Sequence, residues 1–357
     1  MGHSVTIKDV ARAAGVSVGA VSTAFSKKTS NVHLSPGTRA RILQIARENN
    51  YTPNLSARAV QSRKSYLLGF FYNASNWYLQ MGILQGIRKI CSEHDYDIIV
   101  YPANSLEQEA HNLGTLHVNN LDGILTIPFL EGERNNYSCY KALADRGIPV
   151  VQLLVNFWDE FPMIGRDYRK IGYEAVRAFY EKGHRRIGLL VFENYTNPVQ
   201  GPSNWALVKG AEKASEEFGT ELVIYPLKSE KGGKNYVVNA DRTMEQIFRS
   251  ENRPTALVAA STNLAYGAYA CFQRNHVSVP GDISLLACGD DTEPFWQIAP
   301  NLSYFPVPME EIGTESAKYC LGLPGVLEKR KYLLFKELIP GDTIAEPPQT
   351  ALPRKEK

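Results

Sequence analysis

The feature that most constrains the fold is a regular alternation, from residue 66 onward, of short apolar runs with longer amphipathic stretches. Eight runs rich in Val, Ile, Leu, Phe and Tyr predict strands at 66–72, 96–102, 121–128, 149–155, 186–192, 220–226, 255–260 and 283–288. The stretches between most of them predict helices, for example at 81–93, 171–182 and 205–218. Strands that alternate with helices form parallel sheets covered on both faces, so the sequence predicts an α/β body.

The length and apolar content of the chain bound its class. With 357 residues the chain is too long for one compact core of usual size, and two or three domains are expected. Hydrophobic residues make up 44% of the chain, yet no run of about 18 apolar residues occurs. The amino terminus lacks a charged-then-apolar signal segment. These features predict a soluble, cytoplasmic protein that does not enter a membrane.

Charge divides the chain into a basic head and a mildly acidic body. Residues 1–65 contain ten Lys and Arg side chains against two Asp and Glu, whereas the whole chain contains 39 against 37. A small basic domain on an acidic body is typical of a protein that meets nucleic acid with one end. Within this head, residues 15–25 (GVSVGAVSTAF) carry no charge at all.

The head has the pattern of a helix-turn-helix. Thr6 is a plausible N-cap, and apolar residues at helical spacing follow it up to Gly15, which ends the first helix. Ser17 caps a second helix, and a third begins at Ser35 and Pro36. An ordinary three-helix bundle with solvated charges fits the same pattern.

The segment that follows the three helices, 51–65 (YTPNLSARAVQSRKS), argues against an ordinary three-helix bundle. It is too short and too basic to be stable as an isolated helix. We therefore expect it to become ordered only when a partner binds.

Two strings, TIKDVARAAGVSVGAVSTAF and YTPNLSARAV, resemble the amino-terminal module of the lactose-repressor (LacI/GalR) family of transcription regulators. In that family the second helix enters the major groove of DNA, and the segment after Tyr-x-Pro-Asn forms a hinge helix in the minor groove. The resemblance extends through the body to residue 345. It implies a dimer on a pseudo-palindromic operator, because two-fold symmetry of the protein requires a two-fold site.

The resemblance also implies which residues contact DNA. The family's base-reading positions hold Val18, Gly19 and Thr23, which cannot form the bidentate contacts to guanine or adenine that Arg and Gln form. The hinge position where the family typically inserts Leu between base steps is Val60, a shorter, β-branched wedge. We therefore expect phosphate contacts to supply affinity, with unusual base discrimination. The full predicted DNA-binding set is Thr6, Ser17, Val18, Gly19, Ser22, Thr23, Lys27, Lys28, Arg39, Asn54, Ala57, Arg58 and Val60.

In the body, the strings GHRRIGLL (183–190), VPGDISLLACGDD (279–291) and EEIGTESAKYCL (310–321) resemble the family's effector domain, which has the periplasmic-binding-protein fold. The resemblance implies two parallel-sheet halves, with a change of half near 155–165 and a return crossing near 303–308. A small-molecule effector is then expected in the cleft between the halves, outside the carboxyl ends of the strands.

The cleft positions depart from those of sugar-binding family members. Leu207 stands where they usually place an Arg, and Ser261 and Thr262 align with their usual Asn-Asp pair. Loss of a positive fork and a carboxylate removes the bidentate clamp for sugar hydroxyls. A typical hexose is disfavoured, and another carbohydrate, a different metabolite or no ligand all stay open. The predicted effector-binding set is Tyr72, Asn73, Trp77, Trp158, Asn204, Trp205, Leu207, Thr262, Asn263, Asp290 and Trp296.

The sequence as a whole favours a ligand-responsive repressor without catalytic activity, cofactor or metal. No GxGxxG follows a strand, no GxxxxGK[ST] occurs, and the five cysteines lack CxxC spacing. The alternative is a carbohydrate-binding receptor with only non-specific DNA affinity. A catalytic α/β protein is disfavoured because the matched cleft positions have lost charge.

These expectations divide the chain into four parts. They are a helix-turn-helix DNA-binding domain at 1–51, a hinge at 52–65, a two-lobed effector-binding and dimerisation domain at 66–345, and a flexible tail at 346–357. The tail, EPPQTALPRKEK, is polar and lacks heptads, so no coiled-coil tetramer is expected. Closure of the cleft on an effector would shift the hinge between ordered and disordered states.

Overall fold

The structure is a computed structural model of the chain, and it describes residues 5–25, 34–52, 62, 64–74, 77–115, 118–227, 235–248, 253–289, 301–325 and 330–349. The described part of the head is helical, and strands alternate with helices from residue 67 onward. This arrangement confirms the predicted fold class, a helical head followed by an α/β body with two parallel sheets.

The described residues of the head include the helices α1 (Ile7–Ala14), α2 (Val18–Phe25) and α3 (Pro36–Glu48). Their apolar faces meet in a small core that includes Val10, Val21 and Ile42. Gly15 follows α1 with a φ of 62°, the left-handed conformation that glycine adopts without strain. The chain therefore turns from α1 into α2 within three residues, as a helix-turn-helix requires.

The first lobe of the body is built on a six-stranded parallel sheet in the order β11-β5-β4-β3-β1-β2. Its strands are β1 (Leu67–Asn73), β2 (Asp97–Ala103), β3 (Gly123–Ile127), β4 (Val150–Leu154), β5 (Met163–Arg166) and β11 (Lys331–Leu334). One face is covered by α4 (Trp77–Glu93) and α11 (Met309–Cys320), and the other by α5 (Leu106–Leu113) and α6 (Tyr137–Asp145).

The second lobe is built on a five-stranded parallel sheet in the order β10-β9-β8-β6-β7. Its strands are β6 (Arg186–Phe192), β7 (Glu221–Leu227), β8 (Ala256–Ala259), β9 (Ser284–Ala287) and β10 (Ser303–Tyr304). One face is covered by α7 (Tyr168–Glu181) and α8 (Pro202–Phe218), and the other by α9 (Tyr236–Phe248) and α10 (Thr262–Arg274). All eight predicted strands are present, and β5, β10 and β11 are additional.

The chain crosses between the lobes three times in the described residues. It passes from the first lobe to the second after β5. It returns to the first lobe between Phe305 and Val307, which lie in the cores of the second and first lobes respectively. It enters the second lobe again between Leu334 and Phe335. The first crossing comes after Arg166, slightly later than predicted, and the third was not predicted. Each crossing leaves a strand at its carboxyl end. The carboxyl ends of both sheets therefore face the gap between the lobes.

Hydrogen bonds mark where the body begins and where its last segment is held. The Asp122 carboxylate accepts hydrogen bonds from the backbone N–H of Ser65 (2.9 Å) and of Tyr66 (3.1 Å), just before β1. At the other end, the hydroxyl of Thr343 donates to the carbonyl of Leu285 at 2.7 Å. These contacts hold the start of β1 and the segment around Thr343 against the body, and the predicted boundaries at 65 and 345 stay predictions.

Each lobe contains one pair of helices that approach through reciprocal glycines. A Cβ on Gly172 of α7 would lie 2.0 Å from the carbonyl oxygen of Leu207 in α8, and a Cβ on Gly210 of α8 would lie 1.8 Å from that of Arg169 in α7. In the first lobe, a Cβ on Gly86 of α4 would lie 1.9 Å from the carbonyl oxygen of Glu310 in α11. Helix backbones can come this close only where no side chain intervenes.

The first-lobe pair is reciprocal in the same way. A Cβ on Gly313 of α11 would lie 2.0 Å from the carbonyl oxygen of Ile83 in α4. In both lobes, the carbonyl that meets the glycine of one helix belongs to the residue three positions before the glycine of the other. The two lobes thus repeat one packing device, and the repeat fixes both helix pairs at a short separation.

Candidate DNA interface and effector cleft

The second helix of the head presents an uncharged face to solvent. The Ser17 hydroxyl accepts a hydrogen bond from the backbone N–H of Ala20 at 3.2 Å, which caps the start of α2 as predicted. Ala20, Val21 and Ala24 are buried against the other helices. The residues left exposed are Ser17, Val18, Gly19 and Ser22, with Thr23 half-buried. All five belong to the predicted DNA-binding set, and the structure brings them onto one surface.

Thr6 serves the start of α1. Its backbone N–H and its hydroxyl both donate to the Asp9 carboxylate, at 2.9 and 2.6 Å. These contacts belong to a capping box, in which an acidic side chain reaches back to the N-cap residue. The predicted contact of Thr6 with DNA stays a prediction, and the structure gives this residue a capping role in addition.

Two arginines of α3 hold the ends of the other two helices. The Arg39 Nε donates to the carbonyl oxygen of Ala24, near the end of α2, and the Arg41 Nη2 donates to that of Ala14, the last residue of α1, both at 3.0 Å. Carbonyls at a helix end lack partners within the helix, and a cation there is favourable. Arg39 was predicted only as a DNA contact. Arg41 was missed because its partner is 27 residues away in sequence.

Several predicted DNA-binding residues lie outside the described residues. They are Lys27, Lys28, Asn54, Ala57, Arg58 and Val60. Their roles in contacting phosphates and in forming the hinge helix stay predictions.

A buried arginine lies where the lobes join. Arg166, the last residue of β5, is only 3% exposed. Its Nη1 donates to the carbonyl oxygen of Cys288 in the second lobe at 3.0 Å, and its Nη2 donates to that of Phe305 at the second crossing. Its Nε has no hydrogen-bond partner among the residues that the structure describes. Arg166 thus ties the first crossing to the second, a role that the sequence did not suggest.

In the first lobe, the predicted effector residues stand at the ends of strands. Tyr72 and Asn73 close β1, and the Tyr72 ring lies 5.1 Å from that of Phe70. Trp158 packs into an aromatic cluster, with ring centroids 5.5 Å from Tyr137 and from Tyr140. Trp158 therefore contributes to the core of its lobe, whatever it does for a ligand.

The loop that carries Trp158 is fixed by one buried amide. Gln152 of β4 is fully buried, and its Oε1 accepts from the backbone N–H groups of Phe157 and Trp158, both at 2.9 Å. Its Nε2 donates to the carbonyl oxygens of Trp158 (2.7 Å) and Phe161 (3.1 Å). The side chain thus uses both ends to hold the turn, and the sequence reading did not single it out.

In the second lobe, two of the predicted residues at the start of α8 already have partners. The Asn204 amide donates to the side-chain oxygen of Asn194 at 3.0 Å. The Arg169 guanidinium lies over the Trp205 ring, 5.4 Å from its centroid. Leu207 is 1% exposed and belongs to the core beneath α7 and α8. As placed here, Leu207 is a core residue and offers no surface to an effector.

The start of α10 lies at the carboxyl end of β8. Ser261 caps the helix by accepting from the backbone N–H of Leu264 at 3.4 Å. Thr262 is buried against Gly289, and Asn263 is half-buried beside it. Asp290, Trp296 and the side chain of Trp77 lie outside the described residues. Their effector contacts stay predictions.

Burial shifts the pKa values of Glu109 and His184, one in each lobe. Burial raises the pKa of the Glu109 carboxyl, although hydrogen bonds from the Phe129 N–H, Asn136 and Tyr140 act to lower it. Burial also lowers the pKa of His184, whose Nε2 donates to the carbonyl of Ala345 at 2.9 Å. Each group joins separate segments of its lobe, so both read as structural.

Neither a metal centre nor a membrane span emerges from the described ranges. They contain no cluster of three or more His, Cys, Asp or Glu side chains that could hold a metal ion. Within them, no helix is long and apolar enough to cross a membrane.

Two family models match the chain in the order of its parts. Residues 6–54 match the model described as "Bacterial regulatory proteins, lacI family", and residues 176–344 match "Periplasmic binding protein-like domain". The chain belongs to the lactose-repressor (LacI/GalR) family. The helix-turn-helix head and the two-lobed body described above are the two parts of a LacI/GalR regulator.

Curated relatives match nearly the whole chain. Catabolite control protein A of Priestia megaterium is 26% identical over 320 residues, which cover 87% of this chain and 90% of that protein. The ribose operon repressor of Haemophilus influenzae is also 26% identical, over 86% of this chain and 88% of its own length. One of these relatives is named as a control protein and the other as an operon repressor.

Solved structures of the family share the fold. The lac repressor dimer bound to operator and the anti-inducer ONPF covers 96% of this chain and 100% of its own, with a TM-score of 0.70 and 21% identity. The complex of the regulator CelR with cellobiose covers 95% of this chain and 99% of its own, with a TM-score of 0.62 and 20% identity.

Proposed function

We propose that this LacI/GalR protein is a repressor that binds a pseudo-palindromic operator as a dimer and responds to a small-molecule effector. The observation that carries the proposal is the exposed, uncharged face of α2, capped by Ser17, on a head of net charge +8. A face without charge at the centre of a basic domain suits a helix that enters the major groove while flanking cations meet phosphates.

The parts of the chain divide this work. Residues 1–51 bind DNA, 52–65 form the hinge, 66–345 bind the effector and hold the dimer, and 346–357 form a tail. The contacts of Ser65 and Tyr66 with Asp122 support the boundary between hinge and body, because they fix the point from which the hinge leaves the first lobe. Two heads related by a two-fold axis then require an operator with two related half-sites.

The effector is proposed to bind in the gap between the lobes. All three crossings leave strands at their carboxyl ends, and in parallel sheets ligands bind outside those ends. Asn73, Asn204 and Asn263 stand near these ends and carry amides, which can donate to and accept from sugar hydroxyls. Among the relatives, one is named for ribose and one structure contains cellobiose. A carbohydrate effector is therefore proposed, bound without the arginine clamp that Leu207 replaces.

The transmission step is proposed to run through the crossings. Closing the lobes on an effector changes the relation of the first crossing to the second, and Arg166 joins these two segments. Such a change can alter the ordering of the hinges and hence the affinity for DNA, which is a coupling between two sites. In this role the protein acts in the cytoplasm, on DNA, without catalytic activity.

The first test is selection of bound sequences from a random duplex pool at near-physiological salt with the full-length protein. Recovery of one inverted-repeat motif is the expected result. Recovery of no motif, with binding that weakens steeply as salt rises, would leave only counterion-release affinity and would overturn the proposal.

The effector part is tested on the operator that the selection recovers. Neutral mono- and disaccharides are added to the protein–operator complex, and the change in dissociation constant is measured by fluorescence anisotropy. A saturable change caused by one sugar is the expected result. Sugars that raise the melting temperature of the body but leave operator affinity unchanged would separate binding from regulation and contradict the coupling.

A further inference from the structure

The exposed face of α2 has a composition that selects among base pairs. Residues 15–25 contain no Arg, Lys, Asn, Gln, Asp, Glu or His. Val18, the first residue of α2, is 41% exposed although it is apolar. The first turn of a recognition helix is the part that reaches base edges. The side chains there supply one methyl-bearing group and short hydroxyls, and no bidentate partner for a purine.

Gly19 beside it is not required by the fold of the head. Its backbone is helical, and a Cβ added to it would meet only the Ser17 Oγ, at the ordinary distance of 3.7 Å. Alanine favours a helix over glycine by about 1 kcal/mol, so packing and propensity within the head both favour a side chain here. The absence of one leaves bare backbone on the surface that faces the groove.

We propose that α2 reads thymine: in each operator half-site a thymine C5 methyl group packs against Val18 and over the bare backbone of Gly19. This inference rests on the proposed function, because it requires that α2 enters the major groove. It adds the chemical class of the half-site, which holds a T·A pair under the first turn of α2.

The chemistry of the groove supports thymine over the other bases. Thymine presents the only methyl group in the major groove, whereas guanine and adenine present hydrogen-bonding atoms there and cytosine carries a hydrogen atom at C5 in place of the methyl group. Placing Val18 against those atoms removes their water and returns no hydrogen bond, which is unfavourable. Placing it against a methyl group buries apolar surface on both sides. A side chain on Gly19 would hold the helix away from that methyl group.

The test uses duplexes synthesised with the selected operator sequence, in which thymine is replaced by deoxyuridine at one position of each half-site. This change removes the C5 methyl group and leaves the hydrogen-bonding atoms. Removing one methyl contact is expected to weaken binding roughly fourfold, and removing the pair roughly 15-fold. The dissociation constants of the full-length protein are measured by fluorescence anisotropy.

Two variants connect the effect to Val18. In Val18→Ala, the same deoxyuridine substitution is expected to have less than a twofold effect, because its contact is already lost. Val199→Ala is the matched control, since Val199 is an exposed valine of the body, and it is expected to retain the full effect of deoxyuridine. Equal losses with deoxyuridine in wild type and in Val18→Ala would overturn the assignment of Val18.

A second pair of variants addresses Gly19. Gly19→Ala is expected to weaken operator binding at least tenfold while the head stays folded. Gly37→Ala is matched to it, because Gly37 is also the second residue of its helix and a Cβ there meets nothing within 4 Å. Gly37→Ala is expected to leave operator affinity within twofold. If Gly19→Ala binds as well as Gly37→Ala, the bare backbone is not used and the inference is wrong.

The outcomes separate this inference from the function beneath it. A selection that recovers no motif rejects the regulator proposal and the thymine contact together. An inverted repeat in which every thymine can be replaced by deoxyuridine without loss of affinity rejects the thymine contact alone.

Discussion

Glycines in the body and in the head differ in whether the surrounding structure leaves room for a side chain. In the body, Gly86, Gly172 and Gly210 lie where a Cβ would come within 2.0 Å of a carbonyl oxygen of the neighbouring helix. In the head, Gly19 has nothing closer than 3.7 Å. These three body glycines are explained by packing within the chain. Packing does not explain Gly19, which is proposed above to contact DNA. Gly37 of the head also lies in open space, so it serves as the control that shows whether an open position by itself has a function.

The largest loss of stability is expected when a closely packed helix pair of the body is forced apart. Gly172→Ala places a methyl group 2.0 Å from the Leu207 carbonyl, and the two helix backbones must separate. Overpacking typically costs about 1–3 kcal/mol and occasionally more, and a clash with backbone atoms lies at the upper end of that range. Gly86→Ala should cost a similar amount in the first lobe, since its contact with Glu310 is equivalent. Denaturant unfolding measures both, with Gly37→Ala as the control. A loss below about 1 kcal/mol would break the comparison.

A smaller loss is expected from Arg166→Met. The variant leaves the carbonyls of Cys288 and Phe305 without their donor, and an unpaired buried acceptor costs about 1–3 kcal/mol. Denaturant unfolding should show a loss of about 2 kcal/mol. Arg169→Met is the control, because Arg169 is exposed and lies only over a ring. Equal stabilities of the two variants would show that the tie between the crossings contributes nothing.

In the head, we expect Arg41→Met to lower the free energy of unfolding by about 1 kcal/mol. The substitution keeps much of the aliphatic length and removes the bond to the Ala14 carbonyl. Faster hydrogen exchange of the α1 amides is the measurement, with α4 of the body as an internal reference. Arg12→Met is the control, since Arg12 is exposed and its ion pair with Asp9, at 3.6 Å, lies within the same helix. Exchange that rises equally in both variants would contradict a capping role.

The smallest change in the free energy of unfolding is expected from a change of pH. Burial holds the native pKa of His184 below its ordinary value of 6.5. At pH values between the native pKa and 6.5, the unfolded chain therefore binds more protons than the native chain. Stability from the neutral ring is therefore present above pH 6.5 and lost as the pH falls towards the native pKa. Glu109, with a raised native pKa, contributes with the opposite sign. The difference between wild type and His184→Asn, followed by denaturant unfolding from pH 7.5 to 5.5, isolates the histidine. Parallel curves would contradict this assignment.

The comparison also shows how far the sequence could predict the molecule. The eight long apolar runs became β1–β4 and β6–β9, because a buried parallel strand reads as a continuous apolar run. The strands β8 and β9 have only four residues each, but they lie inside apolar runs of six. The missed strand β5 also has four residues but contains Gly165 and Arg166, and the missed β10 has two. No apolar run marks these segments, and only pairing with neighbours defines them as strands.

The predicted sites divide in the same way. The exposed set on α2 follows from helical spacing, since Val21 and Ala24 fix which side faces inward. The cleft set was less predictable, because it depends on where aromatic side chains find partners. Trp158 joined the cluster with Tyr140, and Leu207 joined the core, through contacts between segments far apart in sequence.

The sequence by itself determined what short-range spacing can encode. It placed the helix-turn-helix, its Ser17 and Ser35 caps, the basic head and the alternation that produces two parallel sheets. Tertiary structure alone decided the rest. Arg166 meets Cys288 across 122 residues and Arg41 meets Ala14 across 27. The contact of Gly172 with the Leu207 carbonyl exists only once two helices have packed. Such contacts depend on distances that folding sets, and no local pattern in the chain records them.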